Sequence, residues 1–150
     1  MSFQPRNPDF EARVRGSFAR QRAMELIGAR MTRVEPGRVE IELPVRDDLG
    51  QQHGFVHGGV VGMIADSAGG YAAFTLMPAD ASVLTVEFKV NMLAPAEGEV
   101  LIARAEVLKP GRSLSVVRAD VWARSGDKET RVASMQQTLM VMHGVADERI

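Results

Sequence analysis

Hydrophobic positions along this chain recur with two different periods, and the change of period divides the chain into segments. Phe10, Val14 and Phe18 are spaced four residues apart among charged neighbours. That spacing predicts a short amphipathic helix from Asp9 to about Arg20. The segment from Val60 to Met77 is apolar or small at nearly every position, which predicts a long helix buried on all sides. We expect the first helix to lie as a cover on a larger body that contains the second.

Strand patterns surround the long helix. Two extended segments are predicted between Met31 and Val45, on either side of the turn sequence Glu35-Pro36-Gly37. After Pro78 the period becomes two. The apolar positions of the clearest strand alternate with polar ones and are Leu84, Val86, Phe88, Val90 and Met92. Three more strands are predicted at Val100 to Leu108, Leu114 to Arg124 and Arg131 to Met142.

Short turn sequences separate the later strands. Lys109-Pro110-Gly111-Arg112 has the chemistry of a hairpin turn, and Ser125-Gly126-Asp127 supplies the next turn. Short connections favour antiparallel pairing. One antiparallel sheet wrapped around the long helix is the simplest way to bury that helix on all sides. The predicted fold class is therefore α+β, in a single domain of residues 1–150 in which residues 1–30 form an N-terminal tail and helix.

Composition and charge argue against several classes of function. Of the 150 residues, 45% are hydrophobic and 25% are charged, as in ordinary globular proteins. The net charge is −1 and the 18 Lys and Arg residues are scattered, so we expect neither nucleic acid nor a membrane as a partner. The absence of cysteine excludes disulfides and a thiol nucleophile, and a cytoplasmic location is the expectation. Three histidines without cysteine do not predict a metal site.

The stretch from Gln51 to Asp66 places an amide, an imidazole, bare backbone and a carboxylate close together in the sequence. Asp66 is the only charged residue between Gly58 and Ala79. A carboxylate is rarely left in an apolar core unless something pairs with it or uses it. Gly58 and Gly59 stand at the predicted start of the long helix, where backbone N–H groups lack partners and the dipole favours negative charge. Such an end can bind an oxyanion, so the stretch is typical of an acyl-transfer site.

The spacing within this stretch predicts a dimer. From Gly58 to Asp66 the helix rises about 12 Å, which is too far for both residues to act on one carbonyl. Two such helices, antiparallel across a two-fold axis, would place the N-terminus of one beside Asp66 of the other. We therefore expect a homodimer in which each site is built from two chains.

Each of these residues also has a structural interpretation. Asp66 could face a buried partner or the dimer seam. Gly58 and Gly59 could serve a helix cap that needs flexible backbone. His57 could be a structural loop histidine. The sequence leaves these interpretations open.

Four features in combination are typical of one family: Gln51, the run His57-Gly58-Gly59, Asp66, and the strand sequence from Val86 to Asn91. On these residues the chain resembles the hotdog-fold acyl-CoA thioesterases, specifically the phenylacetate-degradation-type branch, over roughly residues 31–142. The resemblance implies an antiparallel sheet wrapped around a central helix. It also implies dimers that join their sheets edge to edge, and pairs of dimers that form tetramers.

Transferred by position, the site residues of that family fall on the same stretch. The resemblance implies that Gln51 orients substrate or water, with Gln52 as the alternative if the alignment is one residue off. It implies that the N–H of Gly58 binds the thioester oxygen and that Asp66 comes from the opposite subunit. His57 would help to position these groups.

Four further residues are candidates outside that core set, the first from the resemblance and the others from their own chemistry. Thr85 lies where relatives keep a hydroxyl that can orient water. Gly59 would be part of the substrate-binding backbone, because a glycine lets a ligand approach the main chain closely. Lys109 and Arg112 present cations that suit the phosphates of coenzyme A. The same two cations could instead be solvated turn residues.

The implied activity is hydrolysis of an acyl-CoA thioester to the free acid and CoA. Asp66 would act either as a general base that activates water or as the nucleophile. Coenzyme A is part of the substrate, and no separate cofactor and no metal are implied. Two other functions stay open: a non-catalytic acyl-CoA binding or sensing module, and a hydratase or dehydratase that would use His57 and Asp66 as acid and base.

Overall fold

A computed structural model describes residues 2–148. Within that range six strands form one antiparallel sheet around a central helix, which confirms the predicted α+β fold. The helices are α1 (Phe10–Ala19), α2 (Arg22–Ile27) and α3 (Gly58–Phe74). The strands are β1 (Arg30–Glu35), β2 (Arg38–Pro44), β3 (Ala81–Met92), β4 (Val100–Lys109), β5 (Leu114–Ser125) and β6 (Lys128–His143). Their order in the sheet is β1-β2-β4-β5-β6-β3.

Helix α3 lies in the concave face of the sheet and packs against β2 through β6. It begins at Gly58, as the sequence predicts, and its apolar residues are buried around most of its circumference. Alternate residues of β2 point at it, and Val39, Ile41 and Leu43 are fully buried. The helix has no wide polar stripe because the sheet leaves little of it in contact with water.

Helix α1 covers the outer side of α3, as the four-residue spacing suggests. The Ser17 hydroxyl lies 3.1 Å from the Tyr71 hydroxyl, and Phe18 meets the Tyr71 ring edge to face at 5.9 Å between centroids. Arg13 lies over the Phe74 ring at 4.1 Å and donates to the Pro78 carbonyl at 2.7 Å. These contacts fix the N-terminal segment beside the second half of α3.

Helix α2 was not predicted. It has six residues and buries only Met24 and Ile27. A segment of this length is too short for a helical period to become visible in the sequence. It ends at Gly28, whose positive φ of 79° is the left-handed conformation that suits a glycine at a helix C-terminus.

Strand β3 contains a β-bulge that the alternation of its sequence did not predict. Thr85 pairs with Leu139 of β6, but the next pair joins Glu87 to Thr138, so Val86 is an extra residue. Leu84 pairs with the exposed Met140, whereas Thr85 pairs with the buried Leu139. Thr85 therefore faces α3, and the prediction that Leu84 shares one apolar face with Phe88 is wrong.

Strand β3 also forms one edge of the sheet, because it pairs with β6 alone. Its large apolar side chains are open to solvent in the single chain: Leu84 is 57% exposed, Val86 54% and Phe88 48%. A long, apolar, unpaired edge is unusual in a monomer, since it offers free backbone groups to another chain.

Candidate active site

The Asp66 carboxylate lies midway along α3 and is half-buried. The Thr85 hydroxyl donates to its Oδ1 at 2.7 Å, and the Gln137 side-chain amide donates to the same oxygen at 3.0 Å. Both bonds end on Oδ1, so Oδ2 is not engaged by either donor. The structure thus brings the predicted pair Asp66 and Thr85 together, through the bulge that turns Thr85 inward.

A cleft of about 520 Å³ opens beside this carboxylate, between the end of α1, the middle of α3 and the start of β3. Asp66, Thr85 and Tyr71 are among its lining residues. Burial raises the pKa of the Tyr71 phenol, so the hydroxyl stays protonated near neutral pH. The cleft has both polar and apolar walls, because Val83 and Leu84 also line it.

The N-terminus of α3 is capped by the residue that precedes it. His57 Nδ1 accepts a hydrogen bond from the Gly59 N–H at 2.8 Å. Because Nδ1 is the acceptor, the neutral imidazole carries its proton on Nε2. Gly59 therefore has its N–H engaged, whereas the Gly58 N–H donates no hydrogen bond to any residue in the range 2–148. Gly58 thus provides the free donor at the positive end of the helix dipole.

Main-chain hydrogen bonds hold the loop before α3 in place, and they fix the direction of the free Gly58 N–H. The N–H of His57 donates to the Leu49 carbonyl at 2.9 Å, and the N–H of Val56 donates to the Ala96 carbonyl at 2.8 Å. Gly50 forms an isolated antiparallel bridge with Val56. A preorganised donor is worth more to a developing oxyanion than one that must first be ordered.

Gln51 lies in a tight turn of this loop. Its N–H donates to the Phe55 carbonyl at 2.8 Å, and its side-chain Oε1 accepts from the His53 N–H. The amide oxygen is thus used within the turn, and the amide NH₂ is the part of Gln51 with donors to offer. Gln52 and His53 are exposed in the same turn.

Lys109 and Arg112 lie at the opposite end of the molecule from Gly58. Their turn adjoins Leu76 and Met77, just past the C-terminus of α3. The 17 residues of α3 separate this turn from Gly58 by about 25 Å. Both cations are exposed, and His143 Nε2 donates to the Arg112 carbonyl at 2.8 Å. Within one chain they do not join the Gly58 end, and their contact with CoA phosphates stays a prediction.

The sequence interpretation missed Gln137, which contacts Asp66 from β6. Its position carried a signal: it lies among Met135, Leu139 and Val141 in the inward-facing alternation of β6, where every neighbour of the same phase is buried and apolar. A polar side chain at such a position is rare unless it has a partner.

Residues 2–148 contain neither a cluster of potential metal ligands nor a helix that could cross a membrane. No group of three or more His, Cys, Asp or Glu side chains in that range could hold a metal ion. No helix there combines the length and apolar character needed to cross a membrane.

Known proteins are similar to this chain in both sequence and fold. The model of the thioesterase superfamily matches residues 53–143, a range that includes Gly58, Asp66 and Thr85. A 1,4-dihydroxy-2-naphthoyl-CoA hydrolase from Listeria monocytogenes is 32% identical over 92 residues, which cover 61% of this chain and 75% of that protein.

Solved structures give the same assignment. A thioesterase family protein from Silicibacter pomeroyi is 52% identical, with a TM-score of 0.88 over 90% of this chain and 99% of that one. The E. coli PaaI protein from the phenylacetic acid degradation operon has a TM-score of 0.83 over 91% of this chain and 96% of its own, but at 17% identity it shows the fold alone. The chain belongs to the thioesterase superfamily, as a thioester hydrolase with the hotdog fold.

Proposed function

We propose that the protein hydrolyses an acyl-CoA thioester to the free acid and CoA. The observation that carries this proposal is the Asp66 carboxylate, which is hydrogen-bonded by Thr85 and opens onto a cleft large enough for an acyl group. The similarity to a hydrolase whose name specifies a CoA thioester supports the same substrate class.

The groups of the site suit each step of the hydrolysis. The free N–H of Gly58 would donate to the thioester oxygen as it gains negative charge, and one such donor typically contributes roughly 3 kcal/mol. Asp66 would take a proton from water while the water oxygen bonds to the carbonyl carbon. Collapse of the tetrahedral intermediate breaks the C–S bond, and the CoA thiolate then takes up a proton. Direct attack by Asp66 would use the same groups, through an anhydride that water opens.

The two groups that this chemistry requires cannot meet within one chain. Gly58 and Asp66 lie on the same continuous helix, about 12 Å apart along its axis. The open edge of β3 offers a surface on which a second copy can pair and bring its own α3 alongside. We therefore propose a homodimer joined along β3, with Gly58 and Asp66 of each site on different chains. Pairing of two dimers into a tetramer stays an expectation from the family resemblance.

A release assay over a panel of aromatic and aliphatic acyl-CoAs tests the activity. We expect at least one member to yield equal amounts of free acid and CoA thiol. The chain contains no cysteine, so a thiol-reactive dye reports CoA with no background from the protein. Hydration of an enoyl-CoA is measured alongside. Binding without thiol release would contradict the proposal in favour of a binding module, and hydration without release would contradict it in favour of a hydratase.

Charge placed on the open edge should separate the chains. We expect the double variant Val86→Lys and Phe88→Lys to be monomeric by light scattering, because lysines on an edge strand oppose pairing with another strand. Its turnover should fall at least about a hundredfold if each site needs two chains. Leu26→Lys is the matched control, since Leu26 is 79% exposed on α2 and is not part of β3. A folded monomer with wild-type turnover would rule out the two-chain site.

A further inference from the structure

Gln137 is almost completely buried, with 1% of its surface exposed, and it sits under the middle of α3. Its Nε2 donates to the Asp66 carboxylate at 3.0 Å and lies 3.3 Å from the Asp66 main-chain carbonyl. The contact joins the last strand to the centre of the candidate active site.

The orientation of this amide follows from its surroundings. Nε2 faces two oxygen atoms of Asp66, so only the NH₂ group can form favourable hydrogen bonds on that side. The amide oxygen then points away. Among the residues that the structure describes, Gln137 Oε1 is the one buried side-chain nitrogen or oxygen without a hydrogen-bond partner.

The helix is shaped to receive this amide oxygen. Oε1 occupies the space beside Gly69 where a side chain would begin, and a Cβ at position 69 would overlap it. Gly69 is in the interior of α3, where glycine is a poorer helix former than alanine. The chain thus combines a weak helix residue with a buried, unpaired carbonyl oxygen, and both features lower stability.

A role in stability does not explain this arrangement. Methionine at position 137 would fill a similar volume without burying an unpaired oxygen, and alanine at position 69 would then strengthen the helix. What the glutamine adds is one hydrogen bond to the charged form of the Asp66 carboxylate. Unsatisfied buried groups of this kind call for a functional explanation.

We propose that Gln137, packed against Gly69, is a positioning residue that holds the Asp66 carboxylate in its reactive orientation. It shares Oδ1 with the Thr85 hydroxyl, so the carboxylate is held from two strands and Oδ2 is left for water or the acyl carbon. This inference rests on the proposed hydrolysis, because it assigns the residue that prepares the carboxylate of that same site.

The variant Gln137→Met tests the proposal. We expect kcat to fall about tenfold or more, with KM within twofold of wild type, because the bond is to the reacting carboxylate and not to the bulk of the substrate. The melting temperature should stay the same or rise. Gln136→Met is the matched control, since Gln136 is exposed on the opposite face of the same strand and should leave all three values unchanged.

The pH profile provides a readout that a purely structural residue would not move. A hydrogen bond donated to a carboxylate favours its charged form. Loss of the bond removes one of the two donors that hold the carboxylate, so the acid limb of kcat/KM should move to higher pH. The other titratable groups lining the cleft are Arg20, Tyr71 and Asp147, and the variant retains all of them.

A second pair of variants distinguishes the contribution of Gly69 from that of the Gln137 amide. Gly69→Ala alone should lower both stability and kcat, because its Cβ displaces the Gln137 amide. In the Gln137→Met background, whose flexible side chain can yield, Gly69→Ala should lower kcat no further. Equal losses in both backgrounds would show that Gly69 acts independently of Gln137 and would overturn the proposal that Gly69 makes room for the Gln137 amide.

The outcomes distinguish this inference from the proposed function. If wild type hydrolyses a thioester and Gln137→Met keeps the wild-type kcat and pH profile, the positioning role is wrong and the hydrolysis stands. A fall in melting temperature with no change in the pH profile would assign Gln137 a structural role and would likewise overturn it. If wild type releases no CoA from any thioester, the proposed function fails and this inference falls with it.

Discussion

Replacing Asp66 with Asn is expected to reduce kcat by about 10²- to 10⁴-fold while the protein stays folded. The amide has nearly the shape of the carboxylate, and its oxygen can still accept the hydrogen bonds from Thr85 and Gln137. It cannot take a proton from water or form an acyl intermediate, so the loss should appear in kcat with little change in KM. The measurement is steady-state CoA release, with thermal unfolding by circular dichroism on the same preparations.

Asp127→Asn is the control for this variant. Asp127 is exposed in the turn between β5 and β6, and the substitution makes the same chemical change away from the cleft. Its turnover should match wild type. Undiminished turnover in a folded Asp66→Asn protein would remove Asp66 from the mechanism.

Gly58→Pro is expected to lower kcat by about 10²- to 10³-fold, because proline has no N–H to offer the oxyanion. The position tolerates the substitution in other respects. Gly58 is the first residue of α3, where proline is well accommodated, and the preceding His57 has ψ of 134°, in the region that a residue before proline prefers. The helix should form as before, and the melting temperature should change little.

Gly58→Ala separates loss of the donor from added bulk. Alanine keeps the N–H, and its Cβ would meet only the mobile end of Met92, at 3.2 Å. It should retain much more turnover than proline at the same position. Equal losses in the two variants would show that space at residue 58, and not its N–H, is what the reaction requires.

Mixing the two inactive proteins gives the sharpest test of a site shared between chains. Heterodimers of Asp66→Asn and Gly58→Pro have one site with both defects and one site with neither. If the chains reassort at random, half of the dimers are mixed, and the mixture should recover about a quarter of wild-type turnover. No recovery after verified exchange of subunits would mean that each chain carries a complete site.

Local periodicity was enough to predict most of the fold. The alternation in β4, β5 and β6 and the apolar run of α3 mark elements whose buried faces are set by near neighbours in sequence. The start of α3 at Gly58 was also predictable, because a glycine pair follows a loop and precedes a long apolar run. Helix α2 was missed because six residues are too few to show a period.

Only part of the candidate site could be predicted from the sequence. Asp66 could be predicted because it is the single charged residue in an apolar segment. The helical rise then gave its distance from Gly58. Gln137 lies 71 residues further along the chain, and only the packing of β6 against α3 brings it to Asp66. The bulge at Val86 was hidden because one added residue leaves the alternation on either side of it intact. Whether Lys109 and Arg112 contact CoA depends on how chains assemble, which a single sequence does not specify.

The extra residue in β3 acts as a phase shift in the strand's two-residue repeat. If every residue of β3 paired in turn from Phe88 opposite Gln137, Val86 would lie opposite Leu139 and Thr85 opposite Met140. The Thr85 hydroxyl would then lie on the outer face of the sheet with the exposed Met140, and not beside the Asp66 carboxylate. The same sequence paired without the bulge could thus leave the sheet and the helix in place and still turn the hydroxyl away from Asp66. In this fold a single extra residue in one strand decides which side of the sheet the Thr85 hydroxyl faces, so the candidate site depends on the register of that strand as well as on its side chains.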